Sequence, residues 1–259
     1  MKNEKKSQDL DPKWESFAQK AIEALEQGKF KKATKFVEKA LGLVGDNIGP
    51  DQVVLAQILH DIAMDYAVSD SFAQAETLYI RSLEIWEKAV GDDHIGLTSV
   101  LDNLGSLYAV YDDVSKTTPY WERALAIRKD KLGDEHPDVD DNLGRLADIY
   151  KLQGEYPKAE EIFQQLQTKL EERLGPDHPD VAAGLNKLGG FYFFDKGDFA
   201  DAEVYYKQAL TSWEKALGHD HPEIIGVLKS LSLLYQVTGR SQEEKEAKER
   251  IDRIRALNK

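Results

Sequence analysis

Residues 175–218 read GPDHPDVAAGLNKLGGFYFFDKGDFADAEVYYKQALTSWEKALG. Apolar residues recur in it at Leu185, Leu188, Phe191 and Tyr192, the three-to-four spacing of one helix face. After a break at Gly197 and Asp198, Phe199, Ala202, Tyr206 and Leu210 repeat that spacing. Two amphipathic helices joined by a short turn make a helical hairpin, and neither helix can bury its apolar face alone.

The stretch is one copy of a recurring unit. Tyrosines stand at Tyr66, Tyr108, Tyr150, Tyr192 and Tyr235, in steps of 42, 42, 42 and 43 residues. Glycines keep the same time at Gly49, Gly91, Gly133, Gly175 and Gly218, and the last four open the turns GDDH, GDEH, GPDH and GHDH. Such self-similarity means stacked copies that cover one another's apolar faces. Leu101, Leu104 and Tyr108, then Leu143, Leu146 and Tyr150, are further first helices, and Phe72, Ala75, Tyr79 and Leu83 are a further second helix. A shorter copy with Trp14, Phe17, Ala21, Phe30 and Ala33 precedes them in unbroken register. The expectation is an all-α, right-handed solenoid of about six hairpins over residues 13–259, with repeats near 14–47, 52–90, 94–132, 136–174, 178–217 and 221–259. Residues 1–12, charged and without periodicity, read as a disordered tail.

Local signals place the boundaries. Gly154 and Gly197 supply the positive φ that ends a first helix, Gly133, Gly175 and Gly218 end second helices, and Asp198 is placed to cap one. Pro137, Pro179 and Pro222 suit a first helical position, where a missing N–H is harmless. Small residues at Ala75, Ala159 and Ala202 let paired helices approach. In the third copy Thr117 replaces that alanine and Pro119 follows, which predicts a late helix start at Thr118–Pro119 and a longer loop over 111–117. In the last copy Ser241 and Glu244 replace the aromatic and the alanine, leaving a thin seam of Ala247, Ile251, Ile254 and Leu257, as a C-terminal capping helix requires.

Composition narrows the function. The 259 residues carry a formal net charge of −13, which disfavours nucleic acid and anionic lipid as partners. No apolar run approaches the roughly 18 residues of a spanning helix, and no hydrophobic stretch follows the N-terminal lysines, so a cytoplasmic address is expected. With no cysteine, thiolate chemistry is absent. Five of six histidines, His94, His136, His178, His219 and His221, lie in the turns between copies, too far apart to share a metal and better read as turn or N-cap residues. No phosphate-binding glycine loop or HExxH occurs, so we expect no catalytic residue, no metal, no cofactor and no enzyme.

The pattern resembles the tetratricopeptide repeat in the 42-residue form found in kinesin light chains. The residues that carry it are the small Gly105, Ala147 and Gly189, the tyrosines, Gly154/Tyr156 and Gly197/Phe199, Ala159 and Ala202, and the LG-x-[DE]-H-P turns. Kinesin light chains have a heptad segment ahead of their repeats, and the residues before Trp14 supply none, so an intact light chain is not expected. The resemblance implies a non-catalytic scaffold whose first helices line a concave groove holding an extended acidic or aromatic peptide. Counting back from the tyrosines places Asn103, Ser106, Arg145, Asp148, Asn186, Lys187, Gly190, Phe193, Phe194, Lys229 and Leu233 on that face. Arg145, Lys187 and Lys229 would form a basic row, and Asn103 and Asn186 would pair a peptide backbone. Asp102, Gly144 and Ala183 stand where a carboxylate clamp would need basic or amide residues, so a C-terminal EEVD-type ligand is not expected. The alternatives are a self-assembling module, hence a homo-oligomer, and a regulatory subunit of an enzyme system.

Overall fold

The computed structural model describes residues 11–111 and 113–258, and these are all helix and turn. The expected tail lies, for residues 1–10, outside the described residues. The helices are α1 (Lys13–Glu26), α2 (Phe30–Val44), α3 (Val53–Val68), α4 (Phe72–Val90), α5 (Leu97–Val110), α6 (Val114–Leu132), α7 (Pro137–Leu152), α8 (Tyr156–Leu174), α9 (Pro179–Gly190), α10 (Phe199–Leu217), α11 (Ile224–Val237) and α12 (Ser241–Leu257). The fold class is an all-α solenoid of paired helical hairpins. The chain divides within α7 into two compact units, Met1–Leu146 and Ala147–Lys259.

In the first unit α1 packs on α2, α3 on α4 and α5 on α6, while α2 meets α3 and α4 meets α5. Leu55, Leu59, Ile62, Leu97, Leu101 and Leu104 are fully buried, so the first helices supply most of the aliphatic core. The pairing of small with large residues has a steric reason. A Cβ added at Gly105 would stand 2.3 Å from Nε1 of Trp121, so only glycine lets α5 approach α6 there. In the second unit, where α9 packs on α10 and α11 on α12, Gly189 faces Tyr206 in the same way at 2.5 Å.

The glycine clock marks a backbone requirement. Gly133, for example, has φ 87° and ψ 158°, a region essentially closed to residues with a Cβ, and Gly91, Gly175 and Gly218 match it. After each of these glycines a histidine caps the next segment. Nδ1 of His94, His136, His178 and His221 accepts the backbone N–H two residues on, at 3.1, 3.2, 3.1 and 3.3 Å. Four of the five turn histidines therefore satisfy helix-entry donors, while His219 Nδ1 instead lies 3.4 Å from Glu214 Oε1.

The tyrosine clock marks more than packing. Tyr108 Oη donates to Glu76 Oε1 at 2.5 Å, Tyr192 Oη donates to Glu160, and Tyr235 Oη donates to Glu203 Oε1 at 3.4 Å, each glutamate lying 32 residues earlier on the preceding second helix. Each such bond ties one hairpin to the next. Burial pushes the Tyr108 and Tyr192 hydroxyls well above the usual tyrosine range, and the carboxylates that accept from them add to the shift.

Two boundary expectations are corrected. Helix α6 begins at Val114 rather than Thr118, with Pro119 inside it. Asp113 N–H closes on Tyr108 O at 2.9 Å as in other hairpins, and Thr117 and Thr118 hydroxyls bond back to Asp113 O and Val114 O at 3.4 Å. The register set at Tyr108 outweighs the proline, whose missing N–H falls in the second turn of the helix. Likewise α11 starts at Ile224, and Pro222 belongs to a tight turn in which Ile224 N–H reaches His221 O at 3.1 Å. At the C-terminal end, the positions of Tyr206 and Trp213 on α10 become Lys248 and Arg255 on α12, the polar exchange expected of a helix with no neighbour to cover it.

Candidate functional site

The 43-residue step after Tyr192 has a structural cause. Elsewhere the hairpin turn closes five residues beyond the tyrosine: Ser71 N–H to Tyr66 O at 2.9 Å, Glu155 to Tyr150 at 2.8 Å, Arg240 to Tyr235 at 2.8 Å. After Tyr192 the closing donor is Asp198, six residues on, at 2.8 Å. The extra residue is absorbed by a π turn over Phe191–Lys196 that continues α9. Such widened turns are rare and recur at functional sites.

The wider turn sorts two adjacent aromatics. Phe193 is buried, packing on Phe199 with ring centroids 5.2 Å apart, whereas its neighbour Phe194 is 69% exposed. Lys196 ends the turn by donating to Glu160 Oε2 at 2.8 Å while its ammonium sits 4.4 Å from the Tyr192 ring centre. Burial works against ionisation of Glu160, but bonds from Lys196 and Tyr192 outweigh it and hold the carboxyl below its ordinary range.

The expected groove residues fall into groups. In the second unit Lys187, Phe194, Lys229 and Leu233 are exposed, Asn186 and Gly190 are half-buried, and Phe193 is withdrawn into the hairpin. Lys187 and Lys229 have no ion-pair partner among the described residues. Lys229, Leu233 and Gln236 line a hollow of about 440 Å³ with Lys248, Ile251 and Arg255. Asn186 keeps its Oδ1 out of solvent without a hydrogen-bond partner. Asp148, at the start of this unit, is exposed and 4.0 Å from Lys151.

The π turn also corrects the basic row. Its added residue lies after Lys187, so counting 42 onward stops one position short. Measured from the tyrosines, Lys229 matches Asn186, and Ser230 matches Lys187.

In the first unit the amide among the corresponding residues is engaged. Asn103 Nδ2 lies 2.8 Å from Nε2 of the buried His60, whose ring packs 5.5 Å from Tyr79. Burial, with Asp61 nearby, pushes the Tyr79 hydroxyl up to about 12. Ser106 is half-buried. Arg145 is exposed beside a polar hollow of about 210 Å³ that it shares with Asp102, Arg128, Asp138 and Asp141, so carboxylates already face it. Arg128, buried, spans Asp102 and Asn142, donating to Asn142 Oδ1 at 2.8 Å, while Asn142 donates to Trp121 O at 3.3 Å.

One signal was present in the sequence and not read there. Two residues beyond each tyrosine stands an apolar side chain left in solvent: Val68 and Val110 in the first unit, Leu152, Phe194 and Val237 in the second. On α9 and its π turn this gives Asn186, Gly190, Phe194, and on α11 Lys229, Leu233, Val237, two stripes at four-residue spacing. Among the described residues no three His, Asp or Glu side chains converge to hold a metal, and no helix is long and apolar enough to cross a membrane.

A stack of helical hairpins with exposed first-helix stripes and no catalytic motif defines a repeat scaffold. Tetratricopeptide-repeat models match residues 54–111, 116–172 and 181–223, and the chain belongs to the tetratricopeptide-repeat family. Its repeats closely resemble those of kinesin-light-chain type. The structure of a Podosopora anserina kinesin-light-chain protein with nearly identical repeats is 24% identical, covers 78% of this chain and 96% of that one, and gives a TM-score of 0.63. The structure of BtubC from P. vanneervenii is 24% identical over 95% of this chain and 92% of that one, with a TM-score of 0.59. YrrB, described as having an unusual peptide-binding site, is 16% identical over 85% and 92% of the two chains, with a TM-score of 0.50. At these identities the likeness is one of fold. No curated protein matches the sequence.

Proposed function

We propose that the chain is a peptide-binding scaffold and that the second unit holds an extended acidic or aromatic peptide on the first-helix face of its last two hairpins. The observation that carries this is Phe194, an aromatic ring 69% exposed on a π turn, with the unpaired cation Lys187 on the same helix face two turns earlier. Gly190 between them has no side chain, and a Cβ there would meet nothing nearer than Tyr206 Oη at 3.9 Å, so a peptide backbone has room to approach. Lys229, Leu233 and Val237 extend the surface along α11. Exposed aromatic anchors beside cations are the groups that dominate peptide affinity. Such a scaffold needs no cofactor, and its partner is a protein.

Display selection of short random peptides against the chain tests this. The recovered sequences should be rich in Asp, Glu and aromatics, and the double substitution Lys187→Glu with Phe194→Ser should abolish capture while leaving thermal stability near that of the parent. Undiminished capture by that variant would remove the assignment.

A further inference from the structure

We infer that a second, separate surface, the groove between α2 and α4 in the first unit, docks an acidic amphipathic helix of a partner protein. Five lysines, Lys29, Lys31, Lys32, Lys35 and Lys39, lie on α2 or in the turn before it, all exposed, in a chain whose net charge is −13. None has an ion-pair partner among the described residues. Lys32 and Lys39 stand over the Phe36 ring, each 5.7 Å from its centre, which leaves Lys31 and Lys35, one turn apart, as uncommitted cations on one edge.

Beneath that edge is a hollow of about 470 Å³. Lys31, Thr34 and Lys35 form its α2 wall, and Ala73, Thr77 and Leu78 its α4 wall. Tyr66 lies at one end, packed 5.9 Å from Phe30, and the Arg81–Glu38 pair, with Nη2 to Oε2 at 2.6 Å, closes the other. A second hollow of about 390 Å³ continues past Tyr66 and Lys31 to Gly28 and Lys29.

Stacking does not demand these lysines. At the position of Lys31 the later hairpins carry Ala73, Ser115, Pro157, Ala200 and Gln242, and at that of Lys35 they carry Thr77, Pro119, Glu161, Val204 and Glu246, none of them a cation. The charge is special to the first hairpin.

The occupant follows from the lining. An apolar trough with cations on one wall and uncharged Gln74 and Thr77 on the other fits a segment that presents apolar side chains inward and carboxylates toward α2. An extended polyanion would gain little from the trough and would feel the repulsion of the whole acidic chain. A short segment feels charges within a Debye length of about 8 Å.

The test is a display selection of helical peptides of about 15 residues, ~22 Å of helix, on the full chain. Recovered peptides should carry Asp or Glu beside apolar residues at helical spacing, and their affinity should fall on the order of tenfold for Lys31→Glu with Lys35→Glu, and also when salt is raised. Thr77→Arg separates trough from charge, because it adds a cation yet fills the hollow and should weaken binding. Lys187→Glu with Phe194→Ser should leave this binding intact, which keeps its outcome distinct from that of the first-helix surface. The inference is overturned if no recovered peptide depends on Lys31 and Lys35, or if Thr77→Arg binds as the parent does. It is equally overturned if single-stranded DNA, phosphatidylserine vesicles or a second copy of the chain, scored by sedimentation, proves to be what those lysines hold.

Discussion

Deleting Asp195 should convert the π turn into an ordinary helical turn and leave a folded protein. The variant has Tyr192, Phe193, Phe194, Lys196, Gly197 and Asp198 in the same register as Tyr150 to Glu155, so the closing bond to Tyr192 O again spans five residues. The expected loss can be built from what moves. Phe193 would pass to the position held by Ala67, Ala109 and Lys151, all half-buried, and by Gln236, exposed, and so expose about a quarter or more of a side chain of about 200 Å², near 50 Å² or about 1.3 kcal/mol at ~25 cal/mol/Å². The Lys196–Glu160 contact shifts as well, worth up to about 1 kcal/mol for a pair this close to solvent. A net loss of about 1–2 kcal/mol corresponds to a melting temperature lower by about 3–8 °C, measured by far-UV circular dichroism. Deleting Gln153 from the hairpin that already has the five-residue closure is the control. It breaks the Glu155–Tyr150 bond and moves Gly154 off its φ of 75°, so it should cost about 3 kcal/mol or more. Equal losses for the two deletions would falsify the account of the π turn as an absorbed insertion.

Two further outcomes are expected. Gly105→Ala should destabilise the first unit by about 1–3 kcal/mol, because the new methyl meets Trp121 at 2.3 Å, whereas Gly144→Ala, with nothing within 4 Å, should stabilise its helix by about 0.5–1 kcal/mol; thermal melts of the two variants decide it. The acid limb should also be traceable to two carboxylates: Glu160 and Glu203 have folded pKa values below the ordinary 4.5, against burial, through Lys196 and Tyr192 and through Arg240 and Lys207. Their contribution is therefore complete above about pH 4.5 and is lost as pH falls through the lowered folded values, so Glu160→Gln with Glu203→Gln should flatten the pH dependence of stability on that limb, and an unchanged slope would refute the assignment.

What the sequence made legible was whatever every copy must satisfy. The small residues at Gly105 and Gly189, the positive-φ glycines and the capping histidines each answer a steric or hydrogen-bonding demand set inside one hairpin or at its junction, so residue type at fixed spacing was enough. Expectations failed where a single copy departs from the rule. The step of 43 was visible, and the 42 residues from Tyr150 to Tyr192 against the 43 from Gly154 to Gly197 place the added residue after Tyr192, which shifts Lys229 against Lys187; only the backbone shows the π turn that absorbs it. At Pro119, a local start signal competed with the closure of Asp113 on Tyr108, and the closure prevailed. The partners of Asn103 and Arg128 were hidden for another reason: they come from neighbouring helices, 43 residues away in one case and 26 and 14 in the other.

The distribution of unsatisfied groups separates recognition from architecture. On the first helices of the first unit, polar side chains facing their neighbours are consumed internally, Asn103 by His60 and Asp102 by Arg128. At the matching positions of the second unit, Asn186 has an unpartnered oxygen and Lys187 and Lys229 have no counter-ion among the described residues. A buried polar network that is complete stabilises its hairpins and has little left to offer a ligand, whereas exposed cations without an internal counter-ion remain available to pair with a partner's carboxylate. The same reasoning applied to the second helices singles out Lys31 and Lys35. The two surfaces then differ in what drives them: an aromatic anchor with cations on the second unit, and an apolar trough with a cationic rim on the first. Added salt should weaken the latter more strongly, because it has no exposed ring to hold a partner once its charges are screened.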